Sequence, residues 1–351
     1  DFFVDEYQIK LAAHQGADAI LLMLSVLDDE RYQQLASEAA KYQLDVLTEV
    51  SNEEELKRAI VLNAPIIGIN NRNLRDLSTD LATTEALAPH IGSDRVVISE
   101  SGIYTNDQVR RLSPLVDGFL VGSSIMAEED IDLACRKLIF GHNKVCGLTR
   151  LEDIQAAATA GAVYAGLIFA EKSPRALTKD AAKQLVEQYR AANLPAIEFI
   201  GVFVNSEPEL IASIAKACDL AAVQLHGNET ELDITELSQL LQQAGLNTQI
   251  WKAVSVDAQS SELAAMPRGV QRYLFDSKND AGFGGTGQAF DWQLPIAHKA
   301  EAMLAGGLNA DNAARANTQG FYGLDFNSGL ETAPGIKSAE KIQAAFSQLR
   351  L

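Results

Sequence analysis

Short β-branched runs alternate with amphipathic stretches of helical period along almost the whole chain, the pattern of parallel strands joined by crossover helices. In the first part this predicts strands at residues 19–26, 45–49, 66–70, 95–99 and 118–122. After the segment FGHNK it predicts eight more, at residues 144–147, 164–169, 198–204, 221–225, 249–254, 273–276, 302–305 and 323–326. Eight such units in about 200 residues fit a closed (β/α)8 barrel, whose active site lies at the C-terminal ends of the strands. An open doubly wound sheet is the alternative, but it would want a glycine-rich turn after its first strand, and neither GxGxxG nor GxxxxGK[ST] occurs. Five strands cannot close a barrel of eight. The expected fold is therefore α/β, two (β/α)8 TIM barrels in tandem, the first incomplete with about five units and the second complete, divided as residues 1–141 and 142–351. Because the chain opens at Asp1 without a methionine, three opening units of the first barrel are expected to be absent from it.

Composition narrows the function classes. A hydrophobic content of 47% with 22% charged residues is that of a folded chain with a large core. No apolar run reaches the roughly 18 residues needed to span a bilayer, and no signal-like segment opens the chain, so it reads as cytosolic. A net charge of −18 argues against nucleic acid or an anionic membrane as partner. Three scattered cysteines and five dispersed histidines offer neither a disulfide framework nor metal-ligand spacing. An anionic substrate must then be held by a local device.

That device is suggested by two glycine-bearing loops. LAGGLNADN ends a strand in Gly306 and Gly307, and LDFNSGLE ends the next in Asn327, Ser328 and Gly329. Loops after the seventh and eighth strands of a barrel commonly bind phosphate, because small residues admit a close approach and helix starts aim N–H groups at the anion. The plainer reading is that the glycines only permit tight turns. The first part repeats the design, with Gly102 in SESGI and Gly122 and Ser123 in VGSSIM, so one phosphate site per domain is implied.

NKVCGLTR runs from a strand toward a helix start and places Cys146 at the strand's last position, while YLFDSK puts Asp276 at the end of another strand. A cysteine there is often a small buried hydrophobe, and an aspartate often a cap. Gly147 beside Cys146 clears space at the mouth, and the adjoining helix start favours a thiolate. A long glycine-rich segment after Asp276, SKNDAGFGGTGQAFDW, has the length of a loop that covers a site. A thiolate and a carboxylic acid facing one ligand suit chemistry in which one group protonates an oxygen while the other removes a carbon-bound proton. Cys135 and Cys218 fall within helical patterns and read as packing residues.

Together NKVCGLTR, GLIFAEKSPR, GVFVN, AAVQLHGNE, FDSKNDAGFGGTGQAFDW, LAGGLNADN and GLDFNSGLETAPGIK resemble phosphoribosylanthranilate isomerase across residues 142–351. Before them, LLMLSVLDD, VLTEVSNEEEL, IIGINNRNLRDL, VISESGI and GFLVGSSIM resemble the C-terminal portion of indole-3-glycerol phosphate synthase. The order of the two is similar to that in the bifunctional tryptophan-biosynthesis enzymes of enteric-type bacteria. The isomerase resemblance implies an Amadori rearrangement of N-(5′-phosphoribosyl)anthranilate to 1-(2-carboxyphenylamino)-1-deoxyribulose 5-phosphate, without metal or organic cofactor. In it Asp276 would protonate the furanose oxygen and Cys146 would remove the C2′ proton. Arg175 would meet the anthranilate carboxylate, and Gln224 and His226 would line the pocket; a solvated loop charge for Arg175 and a structural role for His226 are the alternatives. The synthase resemblance implies Glu49 in acid–base steps of a decarboxylating ring closure, with Asn70, Glu100 and Ser101 lining the site and Arg72 supporting it or forming a surface ion pair. The synthase family's catalytic lysine falls immediately before the DFF segment, so the chain as written is expected to catalyse the isomerisation alone. The full two-domain protein is expected to be a monomer whose partners are small phosphorylated anthranilate–ribose compounds. Another phosphosugar isomerase of barrel type, or a phosphate-binding module without turnover, are the competing readings.

Overall fold

The computed structural model describes residues 2–257, 266–278, 292 and 299–350, and the polypeptide divides by its internal contacts into two units, Asp1–Ile131 and Asp132–Arg350. The first is built on five parallel strands in sequential order: β1 (Ala19–Met23), β2 (Asp45–Val50), β3 (Ile66–Asn70), β4 (Val96–Glu100) and β5 (Gly118–Leu120). Three of the helices that connect them start at side-chain caps, Asp28, Asn52 and Thr105 each accepting a backbone N–H of the first turn. Period-two alternation sends Ile20, Leu22, Val46, Ile67, Ile69 and Val97 into the core with Leu35 and Ala59 of the helices. The strand register places the other set, Glu49, Asn70 and Glu100, on the opposite face.

In the second unit β6 (Lys144–Val145), β7 (Tyr164–Ile168), β8 (Glu198–Phe203), β9 (Ala222–Leu225), β10 (Gln249–Asp257), β11 (Arg272–Lys278), β12 (Met303–Leu304) and β13 (Gly323–Phe326) form a closed parallel barrel. Closure is made by β13 on β6, with Asp325 opposite Lys144 and Phe326 opposite Val145. A short antiparallel pair, β14 (Glu331–Ala333) and β15 (Ile336–Lys337), follows. Inside the barrel, Tyr164, Ile200, Ala222, Trp251, Leu274 and Met303 make an apolar layer. Two residues further along the strands the same face carries Gly166, Val202, Gln224, Asp276 and Asp325, and beyond Lys144 and Gly166 come Cys146 and Ile168. The apolar layer thus plugs one end and leaves polar groups toward the C-terminal mouth.

All thirteen expected strands are present, with shifted ends. Cys146 lies one residue beyond β6, although its N–H still bonds to Phe326 O at 2.7 Å and continues the ladder. The strand expected at residues 118–122 stops at Leu120, so Gly122 and Ser123 instead open the short helix Ser123–Met126. The units part at Ile131, ten residues before the expected division at 141/142. The helix Ile131–Phe140 explains this, since Arg136 donates to the carbonyls of Ala158, Ala162 and Ala196 and so ties that helix to the second unit. Most of the glycine-rich segment after Asp276 lies outside the described residues.

Candidate functional site

At the C-terminal mouth of the barrel, a cavity of about 450 Å³ has among its lining residues Cys146, Arg175, Gln224, His226, Asp276, Gly306, Gly307, Asp325, Asn327, Ser328 and Gly329. Ten of its lining residues were expected from sequence; those on or just past the strands converge because inward positions near the strand ends recur every second residue, while Arg175 reaches in from the loop after β7. Asp325 was missed, although it stands two residues before Asn327 and therefore faces the same way.

Cys146 packs against Ile168 and Val202, and burial pushes its thiol above the ordinary range against the pull of Lys144 and Lys337. The expected help from an adjoining helix start is corrected: the next helix begins only at Leu151, a full turn away. What Gly147 does is specific. With φ of +69° it adopts a left-handed turn, and a Cβ there would meet Arg175 Cδ at 2.6 Å and Asn327 Oδ1 at 2.8 Å. Arg175 is neither solvated nor loose: its Nε and Nη2 donate to the two carboxylate oxygens of Glu331 at 2.8 and 2.6 Å. Burial works against ionisation of Glu331, but hydrogen bonds from Arg175 and Lys337 outweigh it and hold the carboxyl below its usual range. Asp276 Oδ2 lies 3.4 Å from His226 Nε2, while His226 Nδ1 is 3.1 Å from the Gln224 amide nitrogen, so the imidazole bridges the two. Gly306 and Gly307 both have positive φ, and a Cβ on Gly329 would fall 2.1 Å from Leu308 O. The two glycine loops are therefore in backbone contact, with no room for side chains between them.

In the first unit, Asn70 and Arg72 border a cavity of about 740 Å³, and Arg72 also borders a second of about 200 Å³ with Ser101, Gly102, Gly122 and Ser123. Glu49 and Glu100 line neither; they are buried side by side, with Asn70 hydrogen-bonded to Glu49. Gly68 makes this possible, since a Cβ there would lie 1.7 Å from Glu100 Oε1. A residue the sequence did not flag, Asn71, fixes these strand ends by donating to Ser99 Oγ, Glu100 O and Ser101 O. Burial, then the Glu49 carboxylate, pushes the Glu100 carboxyl up to about 8. Its folded value thus exceeds the ordinary 4.5, so the folded state holds the proton more tightly and stability is lost as pH rises from 4.5 through about 8. Glu100→Gln is accordingly expected to melt above the parent at pH 9, by a margin on the order of a few kcal/mol. The margin should shrink to nothing near pH 4; a melting difference independent of pH would contradict this.

Comparison with known proteins follows the same division. Residues 1–138 match the family profile for indole-3-glycerol phosphate synthase, and residues 143–348 that for N-(5′-phosphoribosyl)anthranilate isomerase. The tryptophan biosynthesis protein TrpCF of Vibrio cholerae is 50% identical over 351 residues, all of this chain and 72% of the relative. The chain belongs to the TrpCF family. The namesake from Salmonella typhi is 48% identical over 352 residues, covering all of this chain and 74% of its own length. A phosphoribosylanthranilate isomerase structure from Thermus thermophilus is 29% identical with a TM-score of 0.49, covering 59% of this chain and 98% of that one. Members of the TrpCF family act in tryptophan biosynthesis, and the activities of this one are phosphoribosylanthranilate isomerase and indole-3-glycerol phosphate synthase. No helix among the described residues is long and apolar enough to cross a membrane, and none of their His, Cys, Asp and Glu side chains cluster as a metal site.

Proposed function

We propose that Cys146 and Asp276 are the base and acid of the isomerase reaction. The observation that carries this is their placement on one cavity together with both glycine loops and Arg175. Asp276 delivers a proton to the furanose oxygen and opens the ring to a Schiff base. Cys146, as thiolate, then takes the C2′ proton, and the C–H electron pair enters the new double bond of an enolamine that tautomerises to the ketone. His226 holds the Asp276 carboxyl and Gln224 orients His226. Arg175, its guanidinium gripped along one edge by Glu331, presents its other edge to the anthranilate carboxylate; this bidentate grip favours positioning over a freely solvated charge.

The phosphate is held by backbone N–H groups of Gly306, Gly307, Ser328 and Gly329, with Asn327 alongside. Testing this with a bulky residue at Gly307 would confuse binding with strain, since the position has φ of +65° and a valine there costs about 1–3 kcal/mol. Ser328→Asp is cleaner. A carboxylate beside the phosphate dianion is expected to raise KM by about tenfold or more while kcat and melting temperature change little. An unchanged KM would remove the phosphate assignment.

For the synthase step we assign acid–base roles to Glu49, and substrate contacts to Asn70, Glu100, Ser101 and Arg72, with Gly102, Gly122 and Ser123 as the phosphate loop. The adjoining carboxyls support this: burial pushes Glu49 above its usual range, and burial with the Glu49 charge pushes Glu100 up to about 8. The five-stranded sheet is read as part of a synthase-type barrel, with residues 1–141 and 142–351 as the two functional domains. The protein is read as a monomer that acts on small phosphorylated anthranilate–ribose substrates in the cytoplasm.

A further inference from the structure

Beneath the isomerase cavity lies a lysine that the mechanism above does not use. Lys144 is fully buried, yet burial is offset by the facing carboxylate of Asp325 and then by Cys146, which keep it an ammonium ion. Its Nζ donates to Asp325 Oδ2 at 2.7 Å and to Gln224 Oε1 at 2.9 Å, two of its three N–H groups. Lys144 and Cys146 are two residues apart on one strand direction, so both point into the barrel. Gly166 on the neighbouring strand makes room for the pair: a Cβ there would lie 2.8 Å from Cys146 Sγ and 2.9 Å from Lys144 Cε. Thiol and lysine therefore occupy adjoining space against Gly166.

We propose that Lys144 is a positioning residue of the isomerase site: its ammonium group, clamped between Gln224 and Asp325, is directed at Cys146 Sγ and stabilises the thiolate that takes the substrate's carbon-bound proton. This rests on the reading of Cys146 as base. The need for such a group is physical. A thiolate against Ile168 and Val202 has lost its water, and leaving a charge unpaired in such surroundings is expensive. The charged groups around it are few. Lys337, from β15, is engaged by Glu331 at 2.7 Å and by Asn327, and Arg175, from the loop after β7, by Glu331. Asp325, from β13, opposes the thiolate, and His226 and Asp276 face each other across the cavity. Arg175 keeps its Nη1 edge for the substrate carboxylate, whereas Lys144, with two of its three N–H groups engaged, keeps one donor on the cysteine's own strand. Asp325 holds the ammonium from the adjoining strand β13, and burial pushes its carboxyl above the usual range against the pull of Lys144.

The test uses the full chain and reads the pH midpoint of iodoacetamide alkylation at Cys146 by peptide mass spectrometry, with circular dichroism to confirm folding. Lys144→Gln is expected to raise the midpoint by about one unit or more, and to lower kcat about tenfold to a hundredfold with KM nearly unchanged. Asp325→Asn, which leaves the ammonium uncompensated, is expected to lower the midpoint. A role confined to packing would not move the two in opposite directions. An unmoved midpoint in Lys144→Gln, or a shift of the same sign in both, overturns the proposal. If Lys144→Gln fails to fold, the double variant Lys144→Gln/Asp325→Asn is compared with Asp325→Asn: a higher midpoint in the double supports the proposal and an equal one overturns it. Failure of the underlying reading looks different, since Cys146→Ala would then keep its turnover whatever the alkylation midpoints show.

Discussion

Cys146→Ala is expected to lower isomerase kcat by about 10² to 10⁴ while the folded protein still binds the phosphorylated product. The sulfur is the one atom removed, and it sits in a small cluster with Ile168 and Val202 whose loss of one contact costs about 1 kcal/mol. The phosphate loops, Arg175 and the His226–Asp276 pair remain in place, so KM and the dissociation constant of a product analogue should stay within a few-fold. What disappears is the acceptor for the C2′ proton, an interaction made only in the transition state, and such losses fall on kcat. Steady-state turnover beside equilibrium binding of the analogue separates these effects. A variant that turns over at the parent rate would assign the base elsewhere.

Asp276→Asn is expected to reduce kcat over the same range of about 10² to 10⁴, for the complementary reason. An amide is isosteric with the carboxyl and retains the contact with His226 Nε2, seen at 3.4 Å. It has no acidic proton for the furanose oxygen, so ring opening stalls before the Schiff base forms. Because the two groups serve successive steps, the double variant should be little slower than the worse single one. Multiplying rate losses in the double variant, with each single variant only mildly impaired, would instead indicate two independent binding contacts.

The barrel and most of its site were legible because both obey local periodicities. Inward positions at strand ends recur every second residue, so Cys146, Asp276 and Asn327 could be found one strand at a time, while Arg175, Gln224 and His226 came only from the resemblance to the isomerase family. The supporting charges could not. Lys144 and Asp325 meet across 181 residues of sequence, and Arg175 and Glu331 across 156, and nothing in a local pattern announces such a pair. Lys144 reads locally as the polar start of a strand, whereas barrel closure by β13 on β6 turns it into a buried cation. Strand ends were misjudged by up to three residues for a related reason: the hydrophobic run gives the strand, but the ladder stops where turns such as that at Gly147 pull the backbone away. In the first unit the carboxyl pair is invisible in sequence because it depends on Gly68, whose missing side chain makes the space that Glu100 occupies.

The most direct test of the central claim is stoichiometric alkylation of the wild-type chain with iodoacetamide, following isomerase turnover and the mass of the Cys146 peptide together. One carboxamidomethyl group on Cys146 should abolish turnover in proportion to its incorporation, and a saturating reduced product analogue should prevent both. Modification of Cys146 with turnover retained, or loss of turnover while the Cys146 peptide stays unmodified, would contradict the assignment of this thiol as the proton acceptor.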